Sequence, residues 1–323
     1  PKELLYRLDL LRDFSTETEL KNRTNPYFYG LDGTVRVLRI DRDGDGPIDS
    51  SKGDRVFLYF GMRRGGSAYY AIDVTQPDSP NFMWRFELPD GAQSWSNPTV
   101  GSDIRVNIDG AIYGSHGASY GSFDNADARH RFVALVGGGY DPSNDAMGFA
   151  RDNKGNKIFM LDVASGNILW SAGPSGSGTI ASPSFDRMQH SIVADIRALD
   201  LSVDGYIDRI YTADLGGQVW RFDVKDGSAA SELVIGGVMA SVGGEEDAAK
   251  DRRFYYAPDI SEARCSGKVF YNVAIGSGDR ENPVTDKDIQ NTFFSFRDYL
   301  LRTQVKTTEY KSTCTAPVDG SAP

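Results

Sequence analysis

Cysteine and histidine are scarce in this 323-residue chain, with two of the first and three of the second. His116, His130 and His190 have no partners at ligand spacing, which argues against a histidine-based zinc site. Cys265 and Cys314 lie far apart. They read either as a disulfide formed in an oxidising compartment or as two free buried thiols. No run of eighteen apolar residues occurs, so no helical membrane span is expected. Positive charge is also in deficit: 35 Lys and Arg stand against 45 Asp and Glu, a formal net charge of −10. That balance argues against nucleic acid or an anionic membrane as partner and suits a cation-binding or extracellular protein. The opening "PKELLYRLDLLRDF" has neither Met nor an apolar signal core, and the chain reads as a piece of a longer protein.

Long helical periodicity is nearly absent; only the leucines of "ELLYRLDLLRDF" allow a short helix. Instead the chain carries short runs rich in Val, Ile, Tyr and Phe, cut by Gly, Asp and Pro. "RVFLYFGMRRGGSAYYAIDV" is a strand, a glycine-rich turn and a strand ending at Asp73. "RFVALVGGGYD…NKIFMLDV" repeats the plan to Asp162 and "DRIYTADLGGQVWRFDV" to Asp223. "KVFYNVAIGSGDRENP…NTFFSFRD" repeats it once more. Trp strands follow the first two, in "NFMWRFEL" and "GNILWSAG". Proline-led strands, "SNPTV", "ASPSF" and "YAPDI", precede the last three. The prolines are about 85 and about 75 residues apart, which demands long loops. Four antiparallel strands per unit is the layout of β-propeller blades, and about four units fit. The expected architecture is therefore an all-β propeller with four-stranded blades across 1–323. A disordered tail is expected over 312–323, "TCTAPVDGSAP" with its preceding Ser. Most Trp, Tyr and Phe are assigned to packing blade against blade.

"DRDGDGPID" concentrates four aspartates in nine positions. Asp41, Asp43 and Asp45 fall at positions 1, 3 and 5 of a D-x-D-x-D-G-x-x-D loop, with Gly46 at the sharp turn. The Pro47 carbonyl can face an ion, and Asp49 closes the loop at position 9. Two carboxylates about 5 Å apart repel by roughly 3 kcal/mol at an effective dielectric of about 20. A divalent ion reverses that sign. Flexible, hard oxygen ligands suit Ca²⁺. Position 12, where an EF-hand has a bidentate Glu, holds Lys52, and the flanks read as strands. "DLSVDGYID" repeats the pattern with Asp200, Ser202, Asp204, Gly205, the Tyr206 carbonyl and Asp208. With a hydroxyl in place of one carboxylate, weaker binding is expected there.

Other signals are set aside. "GASYG" matches a nucleophile elbow at Ser119, but a small-polar loop surrounds it where the chemistry needs a strand and a helix. "VGGGYD" and "GSGDREN" lie between strands, with no helix N-terminus to hold a phosphate.

Strands such as "IFMLDVASGNILWSAG" and "GGQVWRFDV" resemble quinoprotein dehydrogenase propellers. That enzyme family implies a quinone cofactor under a vicinal disulfide, and no two cysteines adjoin here. The co-linear series "YFGMRRGGSAYYAIDVT", "GNKIFMLDVASGNILW", "DGYIDRIYTADLGGQVWRFDV" and "GSGDRENP…QNTFFSFRD" is more similar to the C-terminal domain of the PilY/PilC family. The family comprises type IV pilus-tip adhesins and biogenesis proteins. That resemblance covers nearly the whole chain. It implies a non-enzymatic, calcium-binding protein that passes through the periplasm and is displayed with type IV pili. Minor pilins and the pilus machinery would be its partners, and calcium would govern extension against retraction. Surface adhesion, twitching motility and virulence come with the same resemblance. By it, Asp41, Asp43, Asp45 and Asp49 fall on one calcium loop and Asp200, Asp204 and Asp208 on a second. A quinoprotein-like oxidoreductase and a calcium-stabilised extracellular scaffold unrelated to pili remain the alternatives.

Overall fold

The structure is a computed structural model that describes residues 2–5, 29–109, 130–144, 151–174, 185–243, 251–265, 267–280 and 289–299. The described residues form four sheets, joined in chain order. The first is β1 (Arg36–Ile40), β2 (Arg55–Gly61), β3 (Ala68–Asp73) and β4 (Asn81–Glu87). The second is β5 (Arg105–Asp109), β6 (His130–Gly137), β7 (Ile158–Asp162) and β8 (Ile168–Ala172). In the third, β9 (Arg197–Leu199), β10 (Arg209–Ala213) and β11 (Gln218–Val224) are completed by β13 (Val234–Ser241). The short β12 (Ser228–Ala229) leaves that sheet and pairs in parallel with β5. The fourth is β14 (Asp259–Cys265), β15 (Lys268–Gly276) and β16 (Phe293–Asp298). Neighbours within each sheet are otherwise antiparallel, so each is the up-and-down meander of a propeller blade. A single helical turn, Lys2–Leu5, stands where the leucine spacing allows one.

Strand β6 shows why the strands read as continuous apolar runs. Its residues alternate between two cores: Phe132, Ala134 and Val136 join one, while Val133 and Leu135 join the other. Side chains on a strand alternate faces, so a sheet buried on both sides has no polar face to show in its sequence. The first core holds Tyr59, Ala71 and Trp84 of sheet one against Phe159 and Leu161 of sheet two. The second joins Met160 and Trp170 to Ile210, Trp220 and Phe222 of sheet three. A third joins Tyr211, Ala213 and Val219 to Val273, Ile275 and Phe296 of sheet four.

Aromatic side chains make these contacts specific. The Trp84 indole N–H donates to the Val163 carbonyl of the next sheet at 2.8 Å, and the Tyr59 hydroxyl donates to the same oxygen at 3.1 Å. The turn beneath must be glycine: Gly166 has φ +72°, and a Cβ there would lie 2.7 Å from the Trp84 ring.

The aspartates that end strands serve two ends. Asp73 and Asp162 accept backbone N–H bonds from the turns that follow, Thr75 N at 2.8 Å and Ser165 N at 2.9 Å. Asp223 and Asp298 instead enter a buried ionic cluster. Arg209 Nε meets Asp223 at 2.6 Å, and Arg221 binds both Asp223 and Asp298. The Tyr211 hydroxyl donates to Asp298 at 2.6 Å. This cluster ties sheet three to sheet four.

The three proline-led segments fare differently. Pro258 directly precedes a strand, β14. Near Pro98 the chain makes one isolated bridge, Thr99 to Leu135, and Pro183 lies outside the described residues. Proline cannot donate to a ladder, and the first strands of sheets two and three are β5 and the three-residue β9 instead. The expected tail over 312–323 also lies outside the described residues.

Replacing Asp298 by Ala leaves Arg221 with half its counter-charge in a dry junction, which costs about 3–5 kcal/mol. Arg221→Met/Asp298→Leu costs much less, because both charges leave together. Denaturant unfolding of the two variants measures the difference.

Candidate metal centre

The loop joining β1 to β2 builds its shape from Asp41. Its two oxygens accept Gly44 N at 2.8 Å and Gly46 N at 3.0 Å, folding the chain around the carboxylate. Gly44 and Gly46 have φ of +70° and +96°, the left-handed conformation that such a curl requires. Asp54, the last residue before β2, is fully buried. It accepts Arg42 N at 2.8 Å and Asp49 N at 2.9 Å. Asp41, Asp43 and Asp54 thereby bring carboxylate oxygens within 4.8 Å of one another. Oxygens that share a Ca²⁺ at 2.3–2.6 Å can lie no more than roughly 5 Å apart, so this donor set fits the ion. Among the described residues no other three acidic, His or Cys side chains converge in this way.

Two cationic side chains enter the same loop. Lys52 Nζ lies 2.7 Å from Asp43 and is also paired with Asp45. The contact holds the Asp43 carboxyl below the usual carboxylate range and raises the Lys52 ammonium. Arg39 donates to Asp41 at 3.1 Å and to the Gly46 carbonyl.

The expected ligands divide accordingly. Asp41 and Asp43 converge, and Asp45 faces Lys52. Asp49 turns away and accepts the N–H and hydroxyl of Ser51 at 2.9 and 2.7 Å, capping the 3-10 turn Ser50–Lys52. Those bonds lower its carboxyl. Pro47 is exposed. Asp54, which the nine-residue pattern does not contain, takes the closing role.

The loop joining β9 to β10 occupies the same place in sheet three and repeats three of these bonds. Asp200 accepts Val203 N at 2.6 Å and Gly205 N at 2.7 Å, as Asp41 accepts Gly44 and Gly46. Asp208 accepts Leu201 N at 2.6 Å, as Asp54 accepts Arg42 N. Both closing aspartates immediately precede an arginine that starts the next strand. Asp54 is thus the counterpart of Asp208, and residues 49–53 are an insertion that moves the closing aspartate beyond position 9. The signal that could have found it is the shared Asp-Arg before an apolar strand, in "GDRVFLYF" and "IDRIYTA".

Ser202 donates its N–H to Asp208 at 2.8 Å and its hydroxyl to Asp200 at 3.4 Å; Tyr206 N donates to Asp204 at 3.0 Å. The carboxylates of this loop have no Lys or Arg ion partner among the described residues. A fourth one approaches from the β11–β12 turn: burial first, then the charges of Asp204, Asp208 and Asp200, push the Asp226 carboxyl up to about 6. Asp226 also accepts Asn107 N of sheet two at 3.0 Å. The Arg105 guanidinium of that sheet donates to the Gly205 carbonyl at 2.8 Å and lies over the Tyr206 ring.

Of the other sequence signals, Ser119, His116 and Cys314 lie outside the described residues, and Cys265 is exposed on β14. "RRGG" forms the tight turn between β2 and β3. Among the described residues no helix is long and apolar enough to cross a membrane.

Comparison with known proteins places these features in context. No family model matches the chain. It is 23% identical over 163 residues to the type IV pilus biogenesis factor PilY1 of Pseudomonas aeruginosa (strain UCBPP-PA14), covering 50% of this chain and 10% of that protein. It is 22% identical over 214 residues to the PilY1 homolog of Xylella fastidiosa (strain Temecula1), covering 64% and 12%. The crystal structure of the Pseudomonas aeruginosa PilY1 C-terminal domain superposes with a TM-score of 0.56 at 19% identity, covering 88% of this chain and 51% of that one. The resemblance to the PilY/PilC C-terminal domain read from the motifs therefore extends to the propeller-like fold. The chain spans about a tenth of the curated relatives and about half of the solved domain.

Two outcomes test the loop geometry. Val203 stands where the first loop has Gly44 and is held at φ +61°, so Val203→Gly raises stability by up to about 1 kcal/mol, read by urea unfolding. Asp226 has a folded-state pKa above its unfolded value. Its ionisation therefore opposes folding: the cost is absent below the unfolded pKa and complete above about 6. Asp226→Asn accordingly raises the unfolding temperature at pH 7 in chelator, and the gain vanishes toward pH 4.

Proposed function

We propose that this chain is a calcium-binding, non-catalytic module of a type IV pilus biogenesis protein, carried at the cell surface with the pilus after transit through the periplasm. The observation that carries this reading is the convergence of Asp41, Asp43 and Asp54 at a strand-to-strand loop, in a chain similar to PilY1. Asp41, Asp43 and Asp54 would hold the ion, with Asp45 and the Pro47 carbonyl completing the oxygen set. Asp200, Asp204 and Asp208, with the Ser202 hydroxyl and the Tyr206 carbonyl, form the second candidate.

The chain's own part in the mechanism is electrostatic. Like charges gathered on one short loop resist the closed conformation, and a divalent cation removes that resistance. Ca²⁺ then stabilises the closed loop by linkage, to a degree set by its concentration relative to the dissociation constant. A surface presented to minor pilins or to a host or abiotic receptor becomes calcium-dependent in the same way. In the pilus this bias would favour extension over retraction and so set adhesion and twitching motility.

Calorimetric titration of this chain and of Asp41→Asn/Asp43→Asn tests the site. Binding that weakens at least roughly tenfold in the variant supports it, and no binding at millimolar Ca²⁺ removes it. The same substitutions in the full-length parent protein test the role. Surface pili should fall in number in calcium-replete medium, and an unchanged count overturns the pilus assignment whatever the titration shows.

A further inference from the structure

We infer that Lys52 is a tethered competitor of the metal, a built-in cation that occupies the first loop when calcium is absent and so sets the concentration at which calcium enters. The inference rests on the calcium reading of that loop. Lys52 belongs to the 49–53 insertion, which has no counterpart in the second loop. It brings an ammonium to the carboxylates of the first loop, 2.7 Å from Asp43 and in contact with Asp45. The insertion that adds Lys52 also builds the support that aims it. Asp49 caps the 3-10 turn Ser50–Lys52, and Gly53 ends it in a left-handed conformation with its N–H on the Ser50 carbonyl. Asp49 is thereby withdrawn from the site and Asp54 closes the loop in its place.

The second loop is an internal contrast. It has the same hydrogen-bond scheme, no insertion, and no Lys or Arg paired with Asp200, Asp204 or Asp208 among the described residues. Both loops have an arginine on the position-6 carbonyl, Arg39 in one and Arg105 in the other. That contact therefore belongs to the shared scaffold, whereas the pairing of Lys52 with Asp43 and Asp45 has no counterpart in the second loop among the described residues. An ammonium cannot share Asp43 with Ca²⁺ at full strength, because both need the oxygens that face the loop centre. Calcium must displace Lys52 into solvent, which its exposed position allows.

Calcium affinity is measured by calorimetry on the wild-type chain, Lys52→Gln, Lys52→Arg and Lys52→Gln/Asp41→Asn, with thermal unfolding in chelator as a second readout. Removing two exposed ion pairs should tighten binding roughly three- to tenfold in Lys52→Gln. Lys52→Arg should stay near wild type, and the gain should disappear in the double variant. In chelator Lys52→Gln should unfold at a lower temperature than wild type, with the deficit closed by added Ca²⁺. Tighter binding of this kind, or binding that appears only once Lys52 is neutralised, supports the tethered cation. Wild-type binding that is unchanged or weakened in Lys52→Gln overturns it while leaving the calcium site intact. Binding in none of the variants removes the calcium reading and the inference together.

Discussion

A sheet that is apolar on both faces is insoluble alone, and this constraint organises the chain. Sheet two must be covered on each side, and sheets one and three cover it. Hydrophobic burial supplies the association but not the register, since apolar contact is non-directional. Register comes from the few polar groups that the interfaces admit. The Trp84 and Tyr59 donors converge on a single carbonyl between sheets one and two. Between sheets three and four the device is ionic, with Arg209, Arg221, Asp223 and Asp298 paired in a region of almost no solvent access. Such groups are costly to bury unpaired, so a misaligned sheet is penalised more heavily than by lost area alone.

The repeat in the sequence was legible because the same physical demand recurs in each sheet. A strand with two buried faces is a Val-, Ile- and Phe-rich run, and the aspartate at its end satisfies the backbone of the turn that follows, as at Asp73 and Asp162. What could not be read is that the same motif position would join a buried ionic cluster in sheets three and four. Arg221 lies two residues from Asp223 on the same strand, but Arg209 comes from the neighbouring one and Asp298 meets both arginines from another sheet, pairings that local pattern does not encode. The short strands β5 and β9 were also illegible. "RVNID" and "RAL" are too brief for periodicity, and their pairing is decided by the longer strands beside them.

The calcium pattern illustrates the same limit at the scale of one loop. Spacing picked out Asp41 and Asp43, two of the three carboxylates that converge, because positions 1 and 3 precede the insertion, and position counting fails only after it. Asp54 stands next to strand β2, whose position is set by the sheet, whereas Asp49 belongs to a surface turn free to cap itself. The third converging carboxylate is found where the scaffold is rigid, and here that is the strand end.

The two loops differ in what they can transmit. The first rests on its own sheet: Asp54 binds Arg42 and Asp49 within the loop, and Arg39 comes from the strand that enters it. The second is held by sheet two as well, through Arg105 on Gly205, the Ile207 N–H on the Arg105 carbonyl at 2.9 Å, and Asp226 on Asn107. Charge gathered in the first loop therefore acts on the β1–β2 connection alone. Charge gathered in the second acts on the junction of two sheets, where β12 already stitches the third sheet to the edge of the second. With no Lys or Arg ion-paired to Asp200, Asp204 or Asp208 among the described residues, that junction holds several carboxylates together against their repulsion. Under the calcium reading, the first loop with its lysine is suited to a local, thresholded change, and the second to stiffening the stack of sheets itself.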